Sequence, residues 1–249
     1  MKQIILTVIF SISLFAHDAY LKAKWNNSKT AIEIQPIVAS YFEKKEVQPI
    51  KNHSRLFDIK VVSTSTNEIP NYKISPDSLI LCLVETTSPL VSAVRVQPRD
   101  ITLPRKSATD YFKHELGITG KKLEETLEKG VDSVYEVYER TLKTVVAVND
   151  IVGDKLLGLQ NEILIKEVNF KKGTTNITVQ LFENGSIVSN GAVRVLTNGK
   201  TKLLYTNKNG ELTFKTDKKE PILFAHIKLV KNSPKNFNTY WTNTSLYFL

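Results

Sequence analysis

The sequence is poor in the residues that build disulfides, metal clusters and phosphate-binding loops. Its 249 residues include one cysteine, one methionine, four histidines and ten glycines. Cys82 therefore has no partner for a disulfide within the chain, and a multi-ligand structural zinc site is excluded. The sequence also lacks a glycine-rich phosphate loop, a GxSxG elbow, an HExxH helix and a dinucleotide fingerprint. These absences remove the common nucleotide-dependent and zinc-hydrolase classes, but they leave open a hydrolase that uses scattered carboxylates.

The chain also lacks an apolar run long enough to span a bilayer, which takes about 20 residues. Its N-terminal run is shorter: Lys2 provides a positive start, residues 4–15 are uncharged and mostly apolar, and Ala16 is a small residue. This pattern predicts a cleavable signal peptide over residues 1–16 and a mature chain that begins at His17. We therefore expect a periplasmic or secreted protein that does not span the membrane after cleavage.

Charge is abundant but not organised into a binding surface. The formal net charge is +9, yet the lysines are scattered among asparagines and glutamates, and no basic patch is interleaved with aromatic residues. Nucleic-acid binding normally requires such a clustered patch. The sequence therefore predicts no nucleic-acid partner.

Alternation of apolar and polar residues predicts a mainly β fold. Short β-rich runs cover residues 30–40, 57–63, 79–87 and 91–103, and residues 174–249 have the pattern of a compact β-sandwich. Three of the Asn-Gly pairs in that last segment predict two-residue hairpin turns, because Asn-Gly readily adopts the positive φ angles that these turns need. The pairs are Asn184-Gly185, Asn198-Gly199 and Asn209-Gly210.

Between these β-rich parts the apolar period changes to that of a helix. Apolar side chains recur at steps of three and four residues, which predicts helical structure from residue 107 to about 148; they are Leu123, Leu127, Val131, Val134, Tyr138, Leu142 and Val145. The predicted organisation is a β domain over residues 17–106, a helical insertion over 107–150 and a β-sandwich domain over 151–249.

The predicted new N-terminus is the most distinctive position chemically. Cleavage after Ala16 would give His17 a free α-amine beside its own imidazole, and these two nitrogens can chelate one metal ion. Both groups titrate near neutral pH, so both are available as neutral donors. Nitrogen donors suit Ni²⁺, Co²⁺, Cu²⁺ and Zn²⁺. Asp18 is predicted to add an oxygen ligand or to orient His17, and His226, in the apolar run ILFAHIKLV, is predicted as a second imidazole ligand.

Several segments together resemble the DUF4198 family, which includes proteins described as periplasmic components of nickel or cobalt uptake systems. HDAYL after the leader resembles the family's HDFW(L) start, and YEVYERTLKTVVAVND is similar to its RYxRYAKTLLxVG segment, with Tyr138, Arg140 and Lys143 in matching places. TNKNGELTFKTDKKEPILFAHIKLVK parallels a further family segment and puts Ala225-His226 on its alanine-histidine position. TYWTNTSLYF resembles the family's C-terminal sYWaSLTFe.

The resemblance implies two β-sandwich domains, Ig-like or transthyretin-like, with a helical insertion between them. It also implies an exported protein that captures nickel or cobalt, or a chelate of either, for a membrane metal-transport system. His17 and His226 fall on matching family positions, which favours them as paired ligands.

Two other functions fit the same residues. An N-terminal histidine with a second histidine can hold copper for redox chemistry, and Tyr240-Trp241 would then offer an aromatic surface to a polymer substrate. Alternatively, the β-rich chain is a scaffold or adhesion protein that binds no metal. Metal binding by the mature chain separates the scaffold from the other two functions, and oxidase activity with copper and a reductant separates the enzyme from the binding protein.

Overall fold

The chain folds as a mainly β protein in a computed structural model that describes residues 18–39, 42, 48–49, 53–74, 82–171, 173–197, 200–217 and 219–249. The predicted leader and His17 lie outside the described residues. The first half contains β1 (Asp18–Trp25), β2 (Ile32–Ala39), β3 (Gln48–Pro49), β4 (Leu56–Ser63), β5 (Tyr72–Ile74), β6 (Cys82–Val84), β7 (Leu90–Pro104), α1 (Arg105–His114), α2 (Gly120–Thr126) and β8 (Ser133–Ala147). The second half contains β9 (Asn161–Lys171), β10 (Thr174–Glu183), β11 (Ser186–Ile187), β12 (Ala192–Thr197), β13 (Lys200–Tyr205), β14 (Glu211–Thr216), β15 (Ile222–Lys231) and β16 (Asn236–Phe248).

A seven-stranded sheet forms the centre of the molecule, in the order β13-β12-β15-β16-β8-β7-β4. Its middle pair, β16 and β8, runs parallel from Asn236↔Tyr135 to Phe248↔Ala147, whereas its other pairs are antiparallel. The sheet therefore joins strands from both ends of the chain through one long non-local pairing.

Both faces of the middle of the central sheet are covered, so strands there bury apolar side chains on both sides, whereas the edge strand β13 is largely exposed. On the front face, Val94, Leu142 and Ala225 pack in one cluster with residues of β1 and β2. On the back face, Val145 and Phe224 pack against the sheet formed by β9, β10, β11 and β14. The molecule thus has three β layers, with the seven-stranded sheet in the middle.

Helices α1 and α2 cover the remainder of the front face. Ala108 and Phe112 of α1 pack with Val134, Phe237 and Trp241 of the central sheet. Part of the front face is therefore covered by the sheet that contains β1, and another part by the two helices. We call the boundary between these two coverings the seam.

The predicted helix over residues 107–148 is wrong in its second half. Helices occur at Arg105–His114 and Gly120–Thr126, but Ser133–Ala147 is a fifteen-residue strand in the middle of the central sheet. Residues Thr141 to Ala147 are all buried, so buried side chains point to both faces of the strand. Such a strand lacks the alternation of apolar and polar residues that marks a half-buried strand, and its apolar residues can also match a helical period. Its β-branched residues favour the strand.

The mainly β fold is confirmed, whereas the arrangement of two Ig-like domains is not confirmed. The central sheet takes β4, β7 and β8 from one side of the predicted boundary and β12, β13, β15 and β16 from the other. Of the Asn-Gly pairs, Asn184-Gly185 forms a two-residue hairpin with positive φ at both residues. Residues 198–199 lie outside the described residues, and Asn209-Gly210 connects strands of two different sheets rather than a hairpin.

Candidate functional site: a buried charged cluster at the seam

Three charged residues are in contact where β1 approaches helix α1 on the front face, and a fourth, Arg140, interacts with them electrostatically. We call Asp18, Glu115, Arg140 and Arg194 the seam cluster. Arg194 Nη2 donates a hydrogen bond to Asp18 Oδ1 at 3.0 Å. The same nitrogen lies 2.7 Å from Glu115 Oε2 and forms an ion pair with it, but without the geometry of a directed hydrogen bond. The side chains of Asp18 and Arg194 are only 5% and 6% exposed, so this is a buried ion pair.

The register of the sheets explains how these residues meet. Arg194 pairs with Ala225, and Ala225 pairs with Asn243, so these three side chains share the front face. Asn243 Nδ2 donates to the carbonyl of Ala19 at 2.6 Å, which holds β1 over this part of the sheet. Glu115 follows the last residue of α1, so the end of the helix brings its carboxylate to the same guanidinium nitrogen, Arg194 Nη2.

Burial shifts the protonation of the cluster. Desolvation raises the pKa of Glu115 to about 7, against the lowering effect of Arg194, while the negative charge of Asp18 raises it further. Desolvation also lowers the pKa of Arg140, whose guanidinium lies 4.8 Å from the ring centre of Trp241. The seam cluster can therefore take up or release a proton at Glu115 close to neutral pH.

A hydrogen-bonded group adjoins the cluster on the helix side. Glu136 of β8 accepts hydrogen bonds from Tyr111, at 3.0 Å, and from Thr239. Trp241 Nε1 donates to Thr239 Oγ1 at 3.3 Å, and the rings of Tyr111 and Trp241 stack with their centres 5.9 Å apart. Desolvation raises the pKa values of both Glu136 and Tyr111, which keeps the tyrosine protonated and donating.

The structure describes two of the three predicted site residues, Asp18 and His226, and they are far from sharing a site. Asp18 is the first residue of β1 and belongs to the seam cluster, whereas His17 directly before it lies outside the described residues. His226 is buried on β15, where its Nδ1 lies 2.7 Å from the carbonyl oxygen of Ala192. Because His226 follows Ala225 on the strand, its side chain points to the back face. Asp18 and His226 are therefore on opposite faces of the central sheet.

The environment of His226 selects one tautomer of the imidazole. A carbonyl oxygen can only accept, so Nδ1 carries the proton and Nε2 keeps its lone pair in the neutral ring. Burial lowers the pKa of His226, which favours that neutral ring at neutral pH. Within the described ranges, no group of three or more histidine, cysteine, aspartate or glutamate side chains is placed to hold a metal ion.

The sequence analysis missed Glu115, Arg194, Glu136 and Tyr111 as site residues. One signal was available for Arg194, which is the only charged residue in the apolar run GAVRVLT and is therefore forced either to an edge or into a buried pair. Arg140 lay in a segment that carries the DUF4198 resemblance. No comparable signal marks Glu115, because its role depends on where α1 ends.

A scan against protein-family models, a search of curated proteins and a search of solved structures each returned no match. The resemblance to the DUF4198 family therefore stays a prediction. Among the described helices, none combines the length and apolar character needed to cross a membrane.

Proposed function

We propose that this chain is an exported protein that binds a divalent transition metal, nickel or cobalt, or a chelate of either, for uptake. The α-amine and imidazole of His17 would hold the metal after removal of residues 1–16. The observation that supports this proposal is the burial of Asp18 in its ion pair with Arg194. The residue directly after the chelating histidine is thereby anchored in the fold. A ligand next to an anchored residue loses less conformational freedom on binding than one on a long free tail.

Asp18 supports the metal by position rather than as a ligand. Its Oδ1 already accepts a hydrogen bond from Arg194 at 3.0 Å, and its backbone pairs with Ala39 at the start of β1. These contacts fix the strand that follows the proposed chelate. Glu115, whose pKa is about 7, is the carboxylate of the cluster that would respond to a nearby cation, because a cation favours the ionised form.

His226 remains a candidate for a second imidazole donor. Its Nδ1 contact with Ala192 is the outer-shell arrangement that orients metal-bound histidines elsewhere, and its neutral ring offers Nε2 as the donor. His226 lies on the face of the sheet opposite Asp18, the residue that follows His17, so the proposal does not require the two histidines to bind the same metal ion. The test therefore treats the two histidines independently.

Titration calorimetry with Ni²⁺ and Co²⁺ on the chain that begins at His17 tests the proposal. We expect His17→Ala to weaken binding by at least about tenfold, the lower range found even for outer-shell partners of metal sites. His114→Ala is the matched control, because His114 is an exposed histidine at the end of α1 and should leave the affinity unchanged. Equal affinity of the parent and His17→Ala would overturn the proposal, and a loss in His226→Ala alone would move the site to the back face.

Thermal denaturation gives a second readout. A ligand that binds only the folded chain stabilises it by about 2.7 kcal/mol at a hundredfold excess over Kd. We therefore expect nickel or cobalt to raise the melting temperature of the parent and not of His17→Ala. A chain that shows no shift with nickel, cobalt, copper or zinc would be a scaffold or adhesion protein instead. A membrane metal-transport system is the partner that this proposal implies.

A further inference from the structure

The back face of the central sheet holds a second set of buried charges that the proposed function does not use. Lys143 of β8 extends its ammonium between Asp154 Oδ1, at 2.9 Å, and Glu162 Oε1, at 2.9 Å. The three side chains are 1%, 0% and 2% exposed, respectively. Such a group, with one cation and two carboxylates in an apolar interior, is costly to bury as ions.

Each member of this triad is held in place by other contacts. Asp154 Oδ2 accepts the backbone N–H of Ile165 at 2.7 Å, and Glu162 accepts the backbone N–H of Leu157 at 2.8 Å. Lys143 Nζ also donates to the carbonyl oxygen of Lys155 at 3.1 Å. The lysine nitrogen therefore stays beside the Asp154 carboxyl group, which is the arrangement that an intramolecular reaction between them requires.

We propose that Lys143 and Asp154 form an intramolecular isopeptide bond, with Glu162 as the catalytic proton carrier. In the reaction, a proton first passes from the Lys143 ammonium to the Asp154 carboxylate, which gives a neutral amine and a neutral acid. The amine nitrogen attacks Cγ of Asp154, Glu162 takes a proton from the attacking nitrogen, and the same proton leaves with the departing hydroxyl group as water. The products are an amide and one water molecule, and no oxidant or reductant is needed.

The environment favours the neutral reactants. Burial raises the pKa of Asp154, so the carboxyl group holds a proton more readily than it would in water. Amide formation removes one buried positive and one buried negative charge. The remaining carboxylate of Glu162 keeps its backbone donors at Leu157 and Leu159 and accepts the new amide N–H. The cross-link would tie β8 to the segment that leads into β9, in a chain whose single cysteine provides no disulfide.

Peptide mass spectrometry of the purified full chain tests this directly. Trypsin cleaves after an unmodified Lys143, but not after an acylated one. The linked protein should give one tryptic peptide over residues 141–155 that is lighter by one water than the same linear sequence and yields no fragment ions between 143 and 154. Ordinary cleavage after Lys143, with residues 144–155 recovered at full mass from folded parent protein, would overturn the proposal.

Three variants separate the isopeptide from other losses of water. Lys143→Arg and Glu162→Gln should both abolish the linked peptide, because one removes the nucleophile and the other removes the proton carrier. Asp154→Asn should still link, but with loss of ammonia in place of water. A succinimide at Asp154 would lose water too, yet it would leave cleavage after Lys143 intact and would persist in Lys143→Arg, and that pattern would also overturn the proposal. These results are independent of metal binding at His17.

Discussion

At the scale of single residues, Arg194 holds the front-face charges together. It contacts the carboxylates of Asp18 and Glu115, and all three groups lie between β1, α1 and the central sheet. Removing one partner from such a pair leaves an uncompensated buried charge, which costs more than the pair itself contributes. The arginine therefore matters chiefly because the carboxylate of Asp18 is buried and that of Glu115 is only 17% exposed.

We predict that Arg194→Met lowers the free energy of unfolding by about 3–5 kcal/mol, the range for breaking a buried ion pair. Urea denaturation of parent and variant measures this. Lys166→Met is the matched control, because Lys166 is 49% exposed in its ion pair with Glu211. An exposed pair contributes at most about 1 kcal/mol. Similar losses in the two variants would contradict the structural role given to Arg194.

Glu115 gives a pH dependence with a definite sign. Its folded pKa of about 7 is raised above the ordinary glutamate pKa of 4.5, so the folded chain binds more protons than the unfolded chain between these values. Stability from this group is complete below pH 4.5 and is lost as the pH rises through 7. We predict that Glu115→Gln removes this slope, worth at most about 3 kcal/mol at 1.36 kcal/mol per pKa unit. Denaturation curves from pH 4.5 to 8 measure the difference, and parallel curves for parent and variant would contradict the shift.

At the scale of elements, β8 shows why a periodic pattern can mislead. The charged residues Glu136, Arg140 and Lys143 fit the polar face of a solvent-exposed helix. In the strand, Glu136 instead accepts hydrogen bonds beside the seam cluster, Arg140 belongs to that cluster, and Lys143 belongs to the back-face triad. Strands of the C-terminal half alternate more regularly, as Glu211–Thr216 does, and these were predictable from sequence. A strand buried on both faces carries no such alternation.

The two structures that replace the predicted long helix should differ sharply in local stability. Helix α2 has no buried residue, whereas the second half of β8 is buried throughout. We predict that amide hydrogens of residues 120–126 exchange early and those of 141–147 exchange only on global unfolding. Hydrogen exchange read by mass spectrometry measures this. Equal protection of the two segments would contradict the placement of β8 at the centre of the sheet.

At the scale of the whole molecule, the central sheet makes the two halves of the chain interdependent. Strands β8 and β16 pair in parallel although about a hundred residues separate them, and local sequence patterns do not report such a pairing. The mainly β class was predictable from alternation, but the three layers were not. The seam cluster could not be predicted either, because it brings together Asp18, Glu115 and Arg194 only through those layers.

We therefore predict that residues 17–150 and 151–249, produced separately, do not fold. Each half would expose one side of the β8–β16 pairing and part of the front or back core. Circular dichroism and urea denaturation of the separate halves and of the intact chain measure this. A cooperative transition in either half alone would show that the predicted boundary near residue 150 separates independent domains.

The proposed function depends on a free α-amine at His17 acting with its own imidazole. Nickel titration of two chains tests that requirement most directly: one begins at His17, and the other carries a single added alanine before it. Both keep the His17 imidazole and the Asp18–Arg194 ion pair, but only the first has the amine and imidazole on one residue. We predict that the added alanine weakens nickel binding by at least about tenfold, and equal affinity of the two chains would contradict the proposed site.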